Sequence, residues 1–183
     1  MTNLFKAVAQ ELKQQQVRFY VTVPDSLTRP LLELCGDDPF FKIVRACHEA
    51  EAVAIASGIY IGGARSIVVI ENAGLFNAIE ALRAMPVDMR IPQVLLVGHL
   101  GKPREDYTPD ETLQRWFARG GGAATHDVQQ GEWTEPILNF MGIPHATLQT
   151  EKGVKEIPWA FKKAEEAGGP VAIILDTMEI WGL

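Results

Sequence analysis

Apolar positions along this chain change period repeatedly, and each change marks a new element. Leu4, Phe5, Val8 and Leu12 fall on one helical face and predict an amphipathic helix over residues 3–15. Val17–Val23 is β-branched and aromatic, a first strand ended by Pro24. Ser26 is expected to cap a helix reaching about Leu34, with Gly36-Asp37-Asp38-Pro39 as its stop. A short strand at Phe41–Ala46 precedes an alanine-dense helix over Glu49–Tyr60, which Gly62-Gly63 terminates. The continuous apolar strand Ser66–Ile70 leads to a helix over about Leu75–Met85, and Gln93–Val97 is another apolar strand. A long polar stretch, about 99–131, holds a short helical pattern at Glu111–Ala118 and then Gly120-Gly121-Gly122. Glu132–Met141 follows as a helix with Pro136 near its first turn, where a missing N–H costs least. Strand, helix and strand close the pattern at His145–Leu148, Ile157–Ala167 and Val171–Leu175.

Six short strands, most bounded by helices and several apolar throughout, imply an α/β fold. The expectation is a three-layer sandwich with a central six-stranded parallel sheet covered on both faces. Ligands of such sheets collect at the carboxyl ends of the strands, so the loops beginning at Pro24, Cys47, Glu71 and His99 carry the interest. The 183 residues read as a single domain, with a long loop or insertion at about 99–131 that exceeds ordinary loop length.

Composition narrows the function classes. Seventeen basic residues against 23 acidic ones give a net charge of −6, and the basic residues are scattered, so no nucleic-acid footprint is expected. No apolar run approaches the ~18 residues of a membrane span, and the N-terminus lacks a signal-peptide apolar block. Two cysteines without zinc-type spacing fit a reducing compartment, and the expected location is the cytoplasm. No metal site is expected on the chain itself.

Four strand ends hold candidate chemistry. Pro24-Asp25-Ser26 presents polar side chains and backbone N–H groups where a helix opens; its ordinary explanation is a turn with a cap. Glu49 starts a helix of small and apolar residues expected to be deeply buried, so that desolvation would poise its carboxyl for proton exchange with a ligand nitrogen. A first-turn glutamate favoured by the helix dipole is the plainer alternative. Glu51 is expected to face solvent, and His48 to be hydrogen-bonded structure. Glu71-Asn72-Ala73-Gly74-Leu75-Phe76-Asn77 makes a strand-to-helix turn with two amides but lacks the GxGxxG and GK[ST] spacings, which removes dinucleotide and P-loop readings. Gly98-His99-Leu100-Gly101-Lys102 brings a histidine and a lysine to the same edge. No serine or cysteine has a visible triad.

The order of these segments resembles the pyrimidine-binding (PYR) domain of thiamine-diphosphate (ThDP) enzymes, in particular the sulfopyruvate decarboxylase α subunit and the matching half of phosphonopyruvate decarboxylase. VPDSLTRPLLE, HEAEAVAIASGIYIGG, ENAGLFNAIEAL, IPQVLLVGHLGKP and VQQGEWTEPILNFMGIPH carry the resemblance across about residues 15–175. It implies the PYR type of ThDP-binding fold and a ThDP-dependent 2-oxo acid decarboxylase subunit. The alternatives are a carboligase or acyloin lyase working through the same carbanion, and a non-catalytic regulatory PYR-like subunit. By resemblance, Glu49 is the glutamate that bonds N1′ of the cofactor's aminopyrimidine and activates it. Asp25 and Ser26 reach the substrate side, Asn72, Gly74 and Asn77 contact the pyrimidine region, and His99 holds a strand-end histidine position. The diphosphate and Mg²⁺ half of such enzymes carries a Gly-Asp-Gly motif that this sequence lacks. A β subunit that binds diphosphate and Mg²⁺ is therefore implied, together with an α–α contact and a small 2-oxo acid or carbonyl substrate. Leu100 stands where the relatives have an arginine suited to a phosphonate or sulfonate, and Glu71 replaces their glutamine. The segment from Pro103 to Thr125 reads equally as a lid, a subunit contact or a surface insertion.

Overall fold

The structure, a computed structural model, describes residues 2–101 and 123–176. Six strands form one parallel sheet in the order β2-β1-β3-β4-β6-β5, where β1 is Phe19–Thr22, β2 Lys42–Arg45, β3 Ser66–Glu71, β4 Gln93–His99, β5 His145–Leu148 and β6 Pro170–Asp176. The helices are α1 (Thr2–Gln14), α2 (Arg29–Gly36), α3 (Glu49–Ile61), α4 (Asn72–Asn77), α5 (Ile79–Leu82), α6 (Ala123–Phe140) and α7 (Glu156–Ala167).

Strand alternation divides the core in two. Tyr20, Ile67, Val69, Val94, Leu96 and Ile173 point to the face covered by α1, α2 and α7. Their neighbours Val21, Val68, Ile70, Leu95, Val97 and Ile174 point to the face covered by α3 to α6. Both faces of β3 and β4 are buried, which is why those strands read as unbroken apolar runs. Crossovers stepping toward β5 lie on the α3 face, and those stepping toward β2 lie on the other, as one handedness requires. The expected three-layer α/β sandwich is the architecture found. The chain leaves β1 toward β2 and leaves β3 toward β4, so the switch point for ligand binding lies at the carboxyl ends of β1 and β3.

Element boundaries differ from the sequence reading in α6 and in the helix after β3. α6 begins at Ala123, nine residues before the expected Glu132, so the end of the supposed loop is helix. The expected short helix at Glu111–Ala118 lies outside the described residues. The helix expected over Leu75–Met85 starts at Asn72 and is divided into α4, α5 and a π-turn at Arg83–Val87 containing Pro86. Proline has no N–H to continue an α-helical ladder, which accounts for the irregular last turn. α3 stops at Gly62, and Gly63 takes φ +81, as the Gly62-Gly63 pair predicts.

Candidate active site at the carboxyl ends of the strands

Past β1, Asp25 folds the loop onto itself. Its Oδ1 accepts from the N–H groups of Leu27 and Thr28, each at 2.8 Å, and its Oδ2 accepts from the Thr28 hydroxyl at 2.7 Å. Ser26 is exposed, and the N-cap position of α2 belongs to Thr28. The expected Ser26 cap is thereby corrected: a carboxylate can meet three donors at once. Leu27 and Thr28 cross to the end of β4, where a Cβ on Gly98 would lie 3.2 Å from Thr28 Cγ2 and 3.3 Å from Leu27 Cβ. Glycine at 98 is what lets the loop lie across the sheet edge. Pro24, Asp25, Ser26 and Arg29 then line an open groove that reaches Arg45 at the end of β2.

α3 opens with His48 as its N-cap, whose Nδ1 accepts from Ala50 N–H at 3.2 Å. Exposed Glu51 reaches back to accept from Cys47 N–H at 2.8 Å. Both ties satisfy backbone donors that a helix start leaves without partners. They fix the turn from which Glu49 projects. Ala52, Val53, Ala56 and Ser57 are buried, but Tyr60 is 44% and Ile61 68% exposed, and Glu49 is half-buried. The expectation of a deeply buried helix and a desolvated carboxyl is corrected for this chain by itself: the sheet covers one side of α3, and the opposite apolar side is open.

Glu49 meets the turn after β3. A Cβ on Gly74 would lie 2.5 Å from Glu49 Cγ and 2.7 Å from Oε1, so the carboxylate packs against a backbone that must lack a side chain. Asn77 Nδ2 donates to Oε2 at a long 3.4 Å, and among the described residues it is the only hydrogen-bond donor to that carboxylate. Glu49 and, far from it in sequence, Gly74 and Asn77 of α4 thus form one cluster at the switch point.

Asn72 is different. It is fully buried, and its Nδ2 donates to Leu100 O at 2.8 Å, Thr134 Oγ1 at 3.1 Å and Gln130 O at 3.3 Å. Its Oδ1 accepts from Gln130 Nε2 at 2.6 Å and Leu100 N at 3.3 Å. The amide expected to touch a ligand is committed to the protein; it joins α4, the end of β4 and α6. His99, 8% exposed at the end of β4, places Nε2 3.0 Å from Gly131 O on the same helix. Thr28, Gly98, Gln130 and Thr134 were not singled out from sequence. The Gln-Gly pair of VQQGEWTEPILNF was the available signal for the last two, because a glutamine so near a buried strand end needs a polar partner.

A carboxylate reached by one long hydrogen bond keeps acceptor capacity for a donor on a ligand. Among the described residues, no group of three or more His, Cys, Asp or Glu is placed to hold a metal ion. The family model described as "Thiamine pyrophosphate enzyme, N-terminal TPP binding domain" matches residues 2–130.

The chain belongs to that family.

Sulfopyruvate decarboxylase subunit alpha of Methanococcus maripaludis is 24% identical over 177 residues, covering 96% of each chain. The protein of the same name from Methanocaldococcus jannaschii is 25% identical, covering 94% of this chain and 92% of that one. Phosphonopyruvate decarboxylase of Streptomyces viridochromogenes is 32% identical over 141 residues, which are 76% of this chain but 34% of that protein. Among solved structures, the thiamine diphosphate-dependent 4-hydroxybenzoylformate decarboxylase of Rhodococcus jostii RHA1 superposes with a TM-score of 0.65 at 18% identity. This chain spans 30% of it, so the likeness is one of fold for one part of a larger protein. As a thiamine pyrophosphate enzyme domain, the chain carries its cluster at the strand ends where sheets of this kind take ligands.

Proposed function

We propose that this chain is the α subunit of a heteromeric ThDP-dependent 2-oxo acid decarboxylase of the sulfopyruvate and phosphonopyruvate type. The observation that carries the reading is the Glu49 carboxylate, packed on Gly74 and reached by one long bond from Asn77. Glu49 holds a proton between its carboxyl and N1′ of the aminopyrimidine, and the bare Gly74 backbone leaves the carboxylate room to lie over the turn. Asn77 steadies the second oxygen. Asp25, by folding its loop, holds exposed Ser26 at the mouth of the site, and His99 lines the substrate side from β4. When bound, the cofactor supplies the electron sink for the bond broken as CO₂ leaves.

The diphosphate and its Mg²⁺ fall to a partner β subunit. The open apolar side of α3, with Tyr60 and Ile61, supports burial against another subunit, including a second α chain. Free Cys35 and Cys47 accord with the reducing cytoplasm where we place the complex. No helix among the described residues is long and apolar enough to cross a membrane.

The test is reconstitution with a chain that carries the diphosphate-binding motif, followed by assay of CO₂ release with ThDP and Mg²⁺. Sulfopyruvate, phosphonopyruvate and an uncharged aryl 2-oxo acid form the panel. Cofactor-dependent release from at least one, absent with either chain alone, is expected. No release from any 2-oxo acid by a complex that binds ThDP would overturn the reading.

A further inference from the structure

We propose that Gln130 and Thr134 of α6 are positioning residues for the active site: through the buried Asn72 amide they hold α4 so that Gly74 and Asn77 bear on Glu49. The inference rests on the assignment of Glu49 made above. Its basis is a closed hydrogen-bond network in which each member is buried or has its backbone engaged. Thr134 is fully buried and Gln130 is 5% exposed. Thr134 Oγ1 accepts from Asn72 Nδ2 at 3.1 Å and donates to Gln130 O at 2.9 Å, so its one proton and an acceptor lone pair are both used. Gln130 Nε2 gives Asn72 Oδ1 its short 2.6 Å bond. Leu100, just past β4, supplies the remaining donor and acceptor through its backbone.

Asn72 is also the first residue of α4, a helix of six residues that cannot hold its place by itself. Two residues on, Gly74 leaves no slack against Glu49: the distances from a notional Cβ are 2.5–2.8 Å. A small rotation of α4 about Asn72 would therefore either press the backbone into the carboxylate or withdraw from it. It would also shift the Asn77 bond, already long at 3.4 Å. The His99 tie to Gly131 O lies between Gln130 and Thr134 on the same stretch of α6. One segment, residues 130–134, thus registers both the pyrimidine-side turn and the substrate-side histidine. A buried network of this kind is costly when partly broken, because the freed amide has no water to turn to.

The experiment compares Thr134→Val, which keeps the shape and removes the hydroxyl, with Thr134→Ser, which keeps the hydroxyl, and with Gln130→Glu, which replaces the donor to Asn72. Each is assayed in the reconstituted complex beside Glu49→Gln. Hydrogen exchange of the α4 amides is measured on the same chains without cofactor. We expect Thr134→Val and Gln130→Glu to lower kcat by about tenfold or more with KM little changed, since misplaced groups cost rate rather than binding. Their α4 amides should exchange faster while those of β4 and β6 keep wild-type protection. Thr134→Ser should restore most of kcat. Gln130→Glu should regain activity toward acid pH, where a protonated carboxyl again donates to Asn72.

Wild-type kcat per folded complex in Thr134→Val and Gln130→Glu, with Glu49→Gln inactive, would overturn the positioning role and leave the Glu49 assignment standing. A lowered melting temperature without a change in kcat would overturn it equally, as a purely structural role. An active Glu49→Gln would instead sink the assignment on which the inference rests. If Thr134→Val does not fold, Gln130→Glu decides.

Discussion

Gly74 has no side chain where one would strike Glu49 Cγ at 2.5 Å, and that single contact makes position 74 a sensitive probe of the site. In Gly74→Ala the new methyl group raises helix propensity by about 1 kcal/mol, which offsets part of an overpacking cost of roughly 1–3 kcal/mol. The net change in stability should stay within about 2 kcal/mol, a shift of several degrees at most in a thermal melt. Activity should behave otherwise, because the carboxylate can make room only by turning away from its working position. A displacement near 1 Å costs on the order of 100-fold in rate. Melting and kcat measured on one preparation check both halves; a stable, fully active Gly74→Ala would show that the contact does not fix Glu49. At this scale the sequence marked Glu49, Gly74 and Asn77 through their order and spacing. It did not reveal that Asn72 faces inward, because an asparagine after a strand reads alike whether its amide meets a ligand or a glutamine from a distant helix.

Elements differ in how plainly they announced themselves. β3, β4 and β6 were legible because a strand buried on both faces must be apolar at every position, and α1 because Leu4, Phe5, Val8 and Leu12 recur on one face. The first half of α6 was not, since AATHDVQQG has little apolar periodicity, whereas its second half was expected from Glu132 onward. Gln130, Gly131 and Thr134 tie the helix to α4 and β4 by polar contacts with residues remote in sequence. One polar contact between elements carries a pH prediction. Lys13 Nζ on α1 donates to Asp38 Oδ2 at 2.8 Å, just beyond α2, and with the Phe40 N–H it holds that carboxyl below its ordinary range. A depressed folded-state pKa stabilises fully above the unfolded carboxylate value, near 4, and the gain fades as pH falls through the folded value. The pair is partly exposed, so the contribution is modest and screened by salt. Melting temperatures of Lys13→Met and the wild type should differ at pH 7 and converge as the pH falls through the lowered Asp38 value. A difference that persists unchanged into acid would assign the effect to the Lys13 ammonium over the Phe40 ring instead.

Taken whole, the molecule is one covered sheet with its chemistry on one edge. Polar ties gather at that edge: Asp25 folds the β1 loop, Gly98 lets it cross to β4, and the Asn72 network joins α4, the end of β4 and α6. As proposed, the pyrimidine end of ThDP sits at this edge, and the apolar side of α3 beside it is exposed. The central claim is that Glu49 supplies the proton-exchanging carboxyl, and the most direct test is single-site turnover. In the reconstituted complex, ThDP-dependent CO₂ release by Glu49→Gln should fall by roughly 10²–10⁴-fold, the range of a lost general acid–base group, with the melt of the chain unchanged. Release at the wild-type rate by that variant would contradict the account.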